Sequence, residues 1–285
     1  MMRWALRTAA PKIRSFVVPG ARCLSSDSQR FTGKNVVVTG GAEGIGRGTA
    51  LAFAQQGAAV LVADIKGPTA EERSKEAGIS GSIEYVECDA GDAAAVEAAC
   101  TLASERFGGR VSALVNNVAV QPEAPCHEMS LEEWNRAIAV NLTSVFLFSK
   151  FTLPMMLEHG GGSIVNVASV QGLQSQPGIP GYAASKGGVL SLTRQLAMEY
   201  GNAGVRVNSI SPGTINTPLV AGILKLRGTT KEEAGAVYPM KRIGEIPEIA
   251  NAILFLASDD ASFVTAENLT VDGGIMGLGG WAAVA

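Results

Sequence analysis

Seven short runs of branched apolar residues, separated by segments of helical length, limit what this chain can fold into. The runs fall at residues 36–38, 60–62, 83–86, 112–115, 164–167, 205–210 and 269–271. Strands that read as nearly unbroken Val, Ile and Leu are covered on both faces, since an exposed face would alternate with polar residues. Between them the spacing predicts helices over 44–56, from about Thr69, over 92–107 with Asp92 as cap, over 129–157, over 182–200 and over 247–257. Ser130 with Glu133 three residues on makes a capping box at the start of the 129–157 helix. Strands alternating with helices of this length give an α/β fold, a doubly wound, seven-stranded parallel sheet. No linker-like stretch follows residue 32, so residues 31–285 are expected to form one domain. The longest irregular stretch is expected at 212–244, with an amphipathic piece at 219–226. Long loops at the carboxyl edge of such a sheet shape ligand sites.

The first 30 residues have a different chemistry. They hold six of the 23 basic residues and, of the 26 acids, only Asp27. Trp4, Leu6, Ile13, Phe16 and Val17 are interleaved with Arg3, Arg7, Lys12 and Arg14. An Arg-rich, Ser-bearing, acid-poor segment without a long apolar core describes a mitochondrial presequence. A plastid address, or a plain basic tail on a cytoplasmic protein, are the alternatives. The remaining chain carries 17 basic and 25 acidic residues, a net of −8. That balance argues against nucleic acid as a partner, because phosphate binding needs a basic face. No run approaches the roughly 18 uninterrupted apolar residues of a membrane span. Cys23, Cys88, Cys100 and Cys126 form no CxxC pair, and the two histidines are His127 and His159. Neither a zinc site nor a disulfide framework is expected.

Glycines cluster where the first run gives way to the first helix. Thr39-Gly40-Gly41-Ala42-Glu43-Gly44-Ile45-Gly46 has the composition of a phosphate-binding turn. Gly40, Gly44 and Gly46 let backbone approach a pyrophosphate, and Gly44, Ile45 and Gly46 open a helix whose first N–H groups are free. Asp64 ends the second run, 18 residues after Gly46. An acid there accepts from adenosine ribose hydroxyls and repels a 2′-phosphate. Glu43 adds negative charge, so NAD is favoured over NADP, with Lys66 as the one opposing charge nearby. A simpler role for Asp64, capping its own loop, is the alternative.

Tyr182 and Lys186 lie four apart at the start of a helix, on one face. Such a pair alone is common. Its company is less so: Ser169 follows the fifth run, Asn116-Asn117 end the fourth, Asn141 sits in the helix after it, and Pro212-Gly213-Thr214 follow the sixth with Thr217 just beyond. Polar groups thus gather at strand carboxyl ends, where sheets of this type bind ligands.

Over residues 30–275 this ordered set resembles the short-chain dehydrogenase/reductase family, with a Rossmann-type domain. The resemblance implies that Ser169, Tyr182, Lys186 and Asn141 are catalytic, with Asn141 holding a water in a proton relay. It implies that Asp89 meets the adenine, that Asn116 steadies the sheet beside the adenosine ribose, and that Pro212, Gly213, Ile215 and Thr217 meet the nicotinamide amide. Tyr182 and Lys186 would also touch the cofactor. Relatives of this kind are usually tetramers, so a homo-oligomer is expected, with residues 273–285 as a candidate interface. One departure is visible: the family's Asn-Asn-Ala-Gly stands here as Asn116-Asn117-Val118-Ala119. Ala119 places a methyl group where the nicotinamide ribose is expected.

The chemistry implied is hydride transfer between NAD(H) and a secondary alcohol or ketone, with Tyr182 moving the proton. A phenol titrates near 10, so bringing it to about 7 takes roughly 4 kcal/mol. Lys186 and the positive nicotinamide both push that way, and Ser169 would hold the substrate oxygen. A catalytically silent NAD-binding sensor or scaffold is the alternative; it would have no use for Ser169, Tyr182 and Lys186 together. A serine hydrolase lacks support, since no GxSxG is present. The expected substrate pocket comprises residues 118–121, 170–176 and 212–238, and its chemistry is not readable from the sequence.

Overall fold

A computed structural model describes residues 29–69, 73 and 76–278. The expected presequence falls outside those residues up to Ser28, as do most of the helix expected from Thr69 and residues 279–285. Seven strands form one sheet: β1 (Asn35–Thr39), β2 (Ala59–Asp64), β3 (Ser82–Glu87), β4 (Ala113–Asn116), β5 (Gly162–Val167), β6 (Val205–Pro212) and β7 (Asn268–Val271). Their spatial order is β3-β2-β1-β4-β5-β6-β7, and every neighbouring pair is parallel. The chain starts in the middle, winds outward to β3, then returns across β1 to wind the other way. A crevice opens where the winding reverses, outside the carboxyl ends of β1 and β4.

Helices cover both faces of this sheet. They are α1 (Gly44–Gln55), α2 (Ala93–Arg106), α3 (Leu131–Ile138), α4 (Ser144–Glu158), α5 (Pro180–Tyr200), α6 (Pro218–Arg227), α7 (Lys231–Ala236) and α8 (Ile246–Ala257). The strand period of two sorts each apolar run between two cores. Val37, Leu61, Leu114, Ile164 and Val207 pack with Phe148 and Met156 of α4 and Leu196 of α5. Val36, Val38, Val60, Val62, Val115 and Val165 pack with Phe53 of α1 and Ile249 and Ile253 of α8. Edge strand β3 is only half covered: Glu84 and Glu87 are exposed, and Glu84 accepts from Arg106 Nε at 2.8 Å. Charges on an open edge discourage pairing with another chain.

Two expectations about elements need correction. The segment expected as one helix over 129–157 is two helices joined by a π-helical turn at Ala139–Thr143. The Ser130–Glu133 capping box does open it. The joined stretch Leu131–Glu158 is long and apolar enough to cross a membrane by composition, yet half of its most apolar window is buried in the fold. The region expected as irregular over 212–244 contains α6 and α7. Helix α6 has no fully buried residue: Val220, Ile223 and Leu224 are half-buried, while Leu219 and Leu226 are exposed.

A polar ladder crosses the sheet beneath the crevice. Asn116 Nδ2 donates to Asn166 Oδ1 at 2.8 Å, Asn166 Nδ2 donates to Thr193 Oγ1 at 2.9 Å, and Thr193 Oγ1 donates to Val189 O at 2.8 Å. All three side chains are buried. Burying such groups is tolerated because each side chain makes at least one of these bonds, and removing the middle one leaves its neighbours desolvated. Asn166→Ala should therefore cost about 2–3 kcal/mol. Urea unfolding with the wild-type midpoint would contradict this account of the ladder.

Candidate active site

The glycine turn is built by a close approach between the ends of β1 and β4. Thr39 Oγ1 accepts from the backbone N–H of Asn117 at 3.0 Å and of Val118 at 3.2 Å. Asn117 Nδ2 donates back to Thr39 O at 3.1 Å and Gly40 O at 2.8 Å. Gly40 and Gly44 have φ of +64° and +61°, which disfavours any side chain there. A Cβ on Gly46 would run into Gly40 O and Asn117 Nδ2. The first turn of α1 carries no acidic residue, and the Glu43 side chain does not cap it. Its N–H groups thus open into the crevice, the arrangement that fits a phosphate.

Asp64 lies at the rim of this turn. Its Oδ2 accepts from Ala42 N at 2.9 Å and its Oδ1 from Lys66 N at 3.0 Å. The capping role weighed for it is therefore real, and each oxygen keeps a lone pair for a further donor. Lys66 Nζ sits 3.4 Å from Glu43 Oε1, so the basic charge near this end is paired. Asp89, past β3, is held by Arg136 at 3.0 Å and by Gly91 N at 2.8 Å, and the guanidinium lowers its carboxyl below the usual range.

Asn116, the last residue of β4, turns its amide into the sheet ladder, where a residue that steadies the sheet would lie, and its Oδ1 meets no partner among the described residues. The neighbouring Asn117 braces the glycine turn, a role not expected of it. Nothing in the sequence separates two adjacent asparagines; strand phase decides which one points inward.

Ser169 and the start of α5 close the other side. Ser169 Oγ accepts from Gln171 N at 3.1 Å, and its hydroxyl acts on the Tyr182 phenol in the direction that favours ionisation. Lys186 is buried; its Nζ donates to Val167 O at 2.6 Å and lies 5.6 Å from the Tyr182 ring centroid. Burial pulls the Lys186 ammonium down to about 8. Burial likewise raises the Tyr182 phenol above its ordinary range, and the Ser169 hydroxyl offsets only part of that. The lowering expected for Tyr182 is thus not supplied by the chain itself. Desolvation outweighs the neighbouring hydroxyl, and Lys186 directs its charge at a carbonyl.

Asn141 sits in the π-turn between α3 and α4. Its Oδ1 accepts from Val120 N at 2.8 Å, and its Nδ2 donates to Val120 O at 2.8 Å and Ser185 Oγ at 3.1 Å. Ser185 Oγ in turn donates to Tyr182 O at 2.7 Å. Asn141 thereby ties the strand after β4 to the helix bearing Tyr182. Both amide hydrogens are spent, so a water could be held only through an oxygen of this residue. Sequence reasoning missed Ser185; its spacing, three after Tyr182 on the same helix face, was the available signal.

The stretch after β6 completes the crevice. Pro212 ends the strand, Ile215 is buried among the apolar side chains of the α1–α8 face, and Thr217 Oγ1 caps α6 through Val220 N at 3.2 Å. Thr217 lies 3.6 Å from where a Cβ on Gly44 would be, which brings this stretch against the glycine turn. A separate cavity of about 650 Å³ opens at the opposite, amino edge, among Arg30, Lys34, Arg110, Arg206 and Asp259. None of the expected site residues lines it.

A family profile described as enoyl-(acyl carrier protein) reductase matches residues 39–276. The levodione reductase of Leifsonia aquatica is 39% identical over 259 residues, covering 88% of this chain and 97% of that protein. The crystal structure of a levodione reductase superposes with a TM-score of 0.79 at 38% identity, covering 86% of this chain and 98% of the other. The cyclohexanol dehydrogenase of Acinetobacter sp. (strain SE19) is 40% identical over 250 residues, covering 86% of this chain and 96% of that protein. The 3-oxoacyl-(acyl-carrier-protein) reductase of Thermotoga maritima is 38% identical over 248 residues, covering 87% and 99%. With a parallel sheet whose order reverses at a glycine turn, and a serine, a tyrosine and a lysine gathered beside it, this chain belongs to the short-chain dehydrogenase/reductase family.

Proposed function

We propose that this oxidoreductase moves a hydride between NAD(H) and a secondary alcohol or ketone, with Tyr182 as the acid/base group. The observation that carries the reading is buried Lys186, 5.6 Å from the Tyr182 ring, with the Ser169 hydroxyl acting on that phenol, opposite the uncapped start of α1. When bound, the nicotinamide accepts or delivers the hydride. The protein's own part is to hold the reacting carbon in place and to handle one proton. Ser169 offers its hydroxyl to the substrate oxygen. Tyr182, kept protonated by burial, gives its proton to that oxygen in reduction and is left as phenolate; in oxidation it takes the alcohol proton only from that phenolate form, which a bound positive nicotinamide would favour. Asn141, through Ser185, holds the first turn of α5 still.

Asp64 and Glu43 support NAD over NADP, because a 2′-phosphate would meet two carboxylates while Lys66 is already paired. The names of two relatives put a cyclic alcohol, cyclohexanol, and a dione, levodione, at the head of a substrate panel. The Thermotoga relative makes an acyl-carrier thioester the competing substrate class. A silent NAD-binding scaffold is disfavoured by the complete Ser169, Tyr182 and Lys186 set. A homo-oligomer remains part of this reading by resemblance. A mitochondrial matrix address carried by residues 1–30, with plastid or cytoplasm as alternatives, is part of it too. Those residues fused to a fluorescent protein should bring it to mitochondria; diffuse cytoplasmic signal would refute the address.

Tyr182→Phe should lower kcat by about 10²- to 10⁴-fold while cofactor binding persists. Assays with NAD+ and NADP+ in parallel should show the NAD+ rate dominant. Wild-type turnover in the variant would remove Tyr182 from the mechanism.

The pH dependence follows from burial. Lys186, held down to about 8, is charged below that value and neutral above it. Tyr182 is raised and stays protonated throughout that range. Ketone reduction should therefore be level below about pH 8 and decline above it. The decline is expected because a positive charge 5.6 Å from the Tyr182 ring stabilises the phenolate left after proton donation; a kcat/KM for reduction that climbs through pH 8 would exclude that part for Lys186.

A further inference from the structure

Thr214, in the stretch after β6, has its polar groups taken up by a single distant segment. Its N–H donates to the Tyr238 hydroxyl at 2.8 Å, and its carbonyl accepts from Gly244 N at 2.9 Å. The Tyr238 and Thr214 hydroxyls are 2.7 Å apart. Ile215 bridges to Gly244 in parallel, and Asn216 N donates to Gly244 O at 2.8 Å. Tyr238 follows α7 and is 6% exposed. Its ring is wedged between the ends of β6 and β7: a Cβ on Gly213 would lie 3.0 Å from it, and one on Gly273 3.3 Å.

These contacts orient a proton. The phenol is the stronger acid of the two hydroxyls, so it donates to Thr214 Oγ1 while accepting from Thr214 N. The hydroxyl hydrogen of Thr214 is then turned away from Tyr238, and among the described residues it meets no acceptor. Phe at 238 would fill the same space and lose both bonds, leaving a half-buried N–H without a partner.

We infer that Tyr238 is a positioning residue: it presents the Thr214 hydroxyl as a donor to the carboxamide end of the nicotinamide, and so joins the segment trailing α6 and α7 to the cofactor stretch. This rests on the proposed binding of NAD(H). It assigns Tyr238 no contact with substrate or reacting atoms.

The test compares two ligands that share the adenosine and pyrophosphate and differ in the nicotinamide. NADH and ADP-ribose are titrated calorimetrically into wild type, Tyr238→Phe and Thr214→Val. Tyr238→Phe should weaken NADH about tenfold and leave ADP-ribose within twofold. Thr214→Val, which keeps Tyr238 intact, should give the same selective loss, and the double variant should lose no more than either alone. A parallel fall in both ligands would make Tyr238 merely structural and overturn the inference, as would unchanged NADH binding in either variant. Wild type that binds neither ligand would sink the proposed function itself, a result separable from the variant ratios.

Discussion

The exchange of hydrogen bonds between Thr39 and Asn117 governs the rest of the site. It closes the gap between β1 and β4, the two strands from which the sheet winds in opposite directions. With that gap closed, the glycine turn is held at a fixed height above the sheet and the first N–H groups of α1 face the crevice. Val118 follows directly, its Cα 2.7 Å from where a Cβ on Gly40 would stand. A side chain at Gly40 or Gly46 would push the two strand ends apart, so those positions answer to backbone packing as much as to any ligand.

Electrostatics inside the site are set by burial more than by charge pairing. Lys186 is surrounded by protein, and its ammonium spends one of its three N–H donors on the Val167 carbonyl. Desolvation works on both titrating groups in the direction of neutrality, a neutral amine and a neutral phenol. A site of this kind is poised to donate a proton. Removing one from an alcohol calls for positive charge brought in from outside the chain. The two directions of the reaction are thus asymmetric in what the protein contributes.

Much of this was legible in the amino-acid order. Apolar runs marked the central strands because these are buried on both faces, whereas edge strand β3 carries exposed Glu84 and Glu87. Ser169, Tyr182 and Lys186 were legible because they lie next to strand and helix ends that the pattern already fixed. What escaped was decided by contacts across the chain. The π-turn exists where Asn141 reaches Val120, 21 residues away, and the apolar pattern of α3 and α4 runs on around it. That Asn117, and not Asn116, reaches the glycine turn depends on strand phase. Tyr238 carries no motif, and its importance comes from a hydroxyl 24 residues from its partner.

Helix α6 bears on how such a protein changes over time. None of its residues is fully buried, and its far end carries an ion pair from Arg227 to Glu123 at 2.8 Å. Substitutions at its exposed positions remove little packing, yet its capping residue Thr217 lies against the glycine turn. Selection can therefore rewrite what is admitted there while the sheet and the proton-handling groups stay fixed, so that recognition drifts independently of thermal robustness.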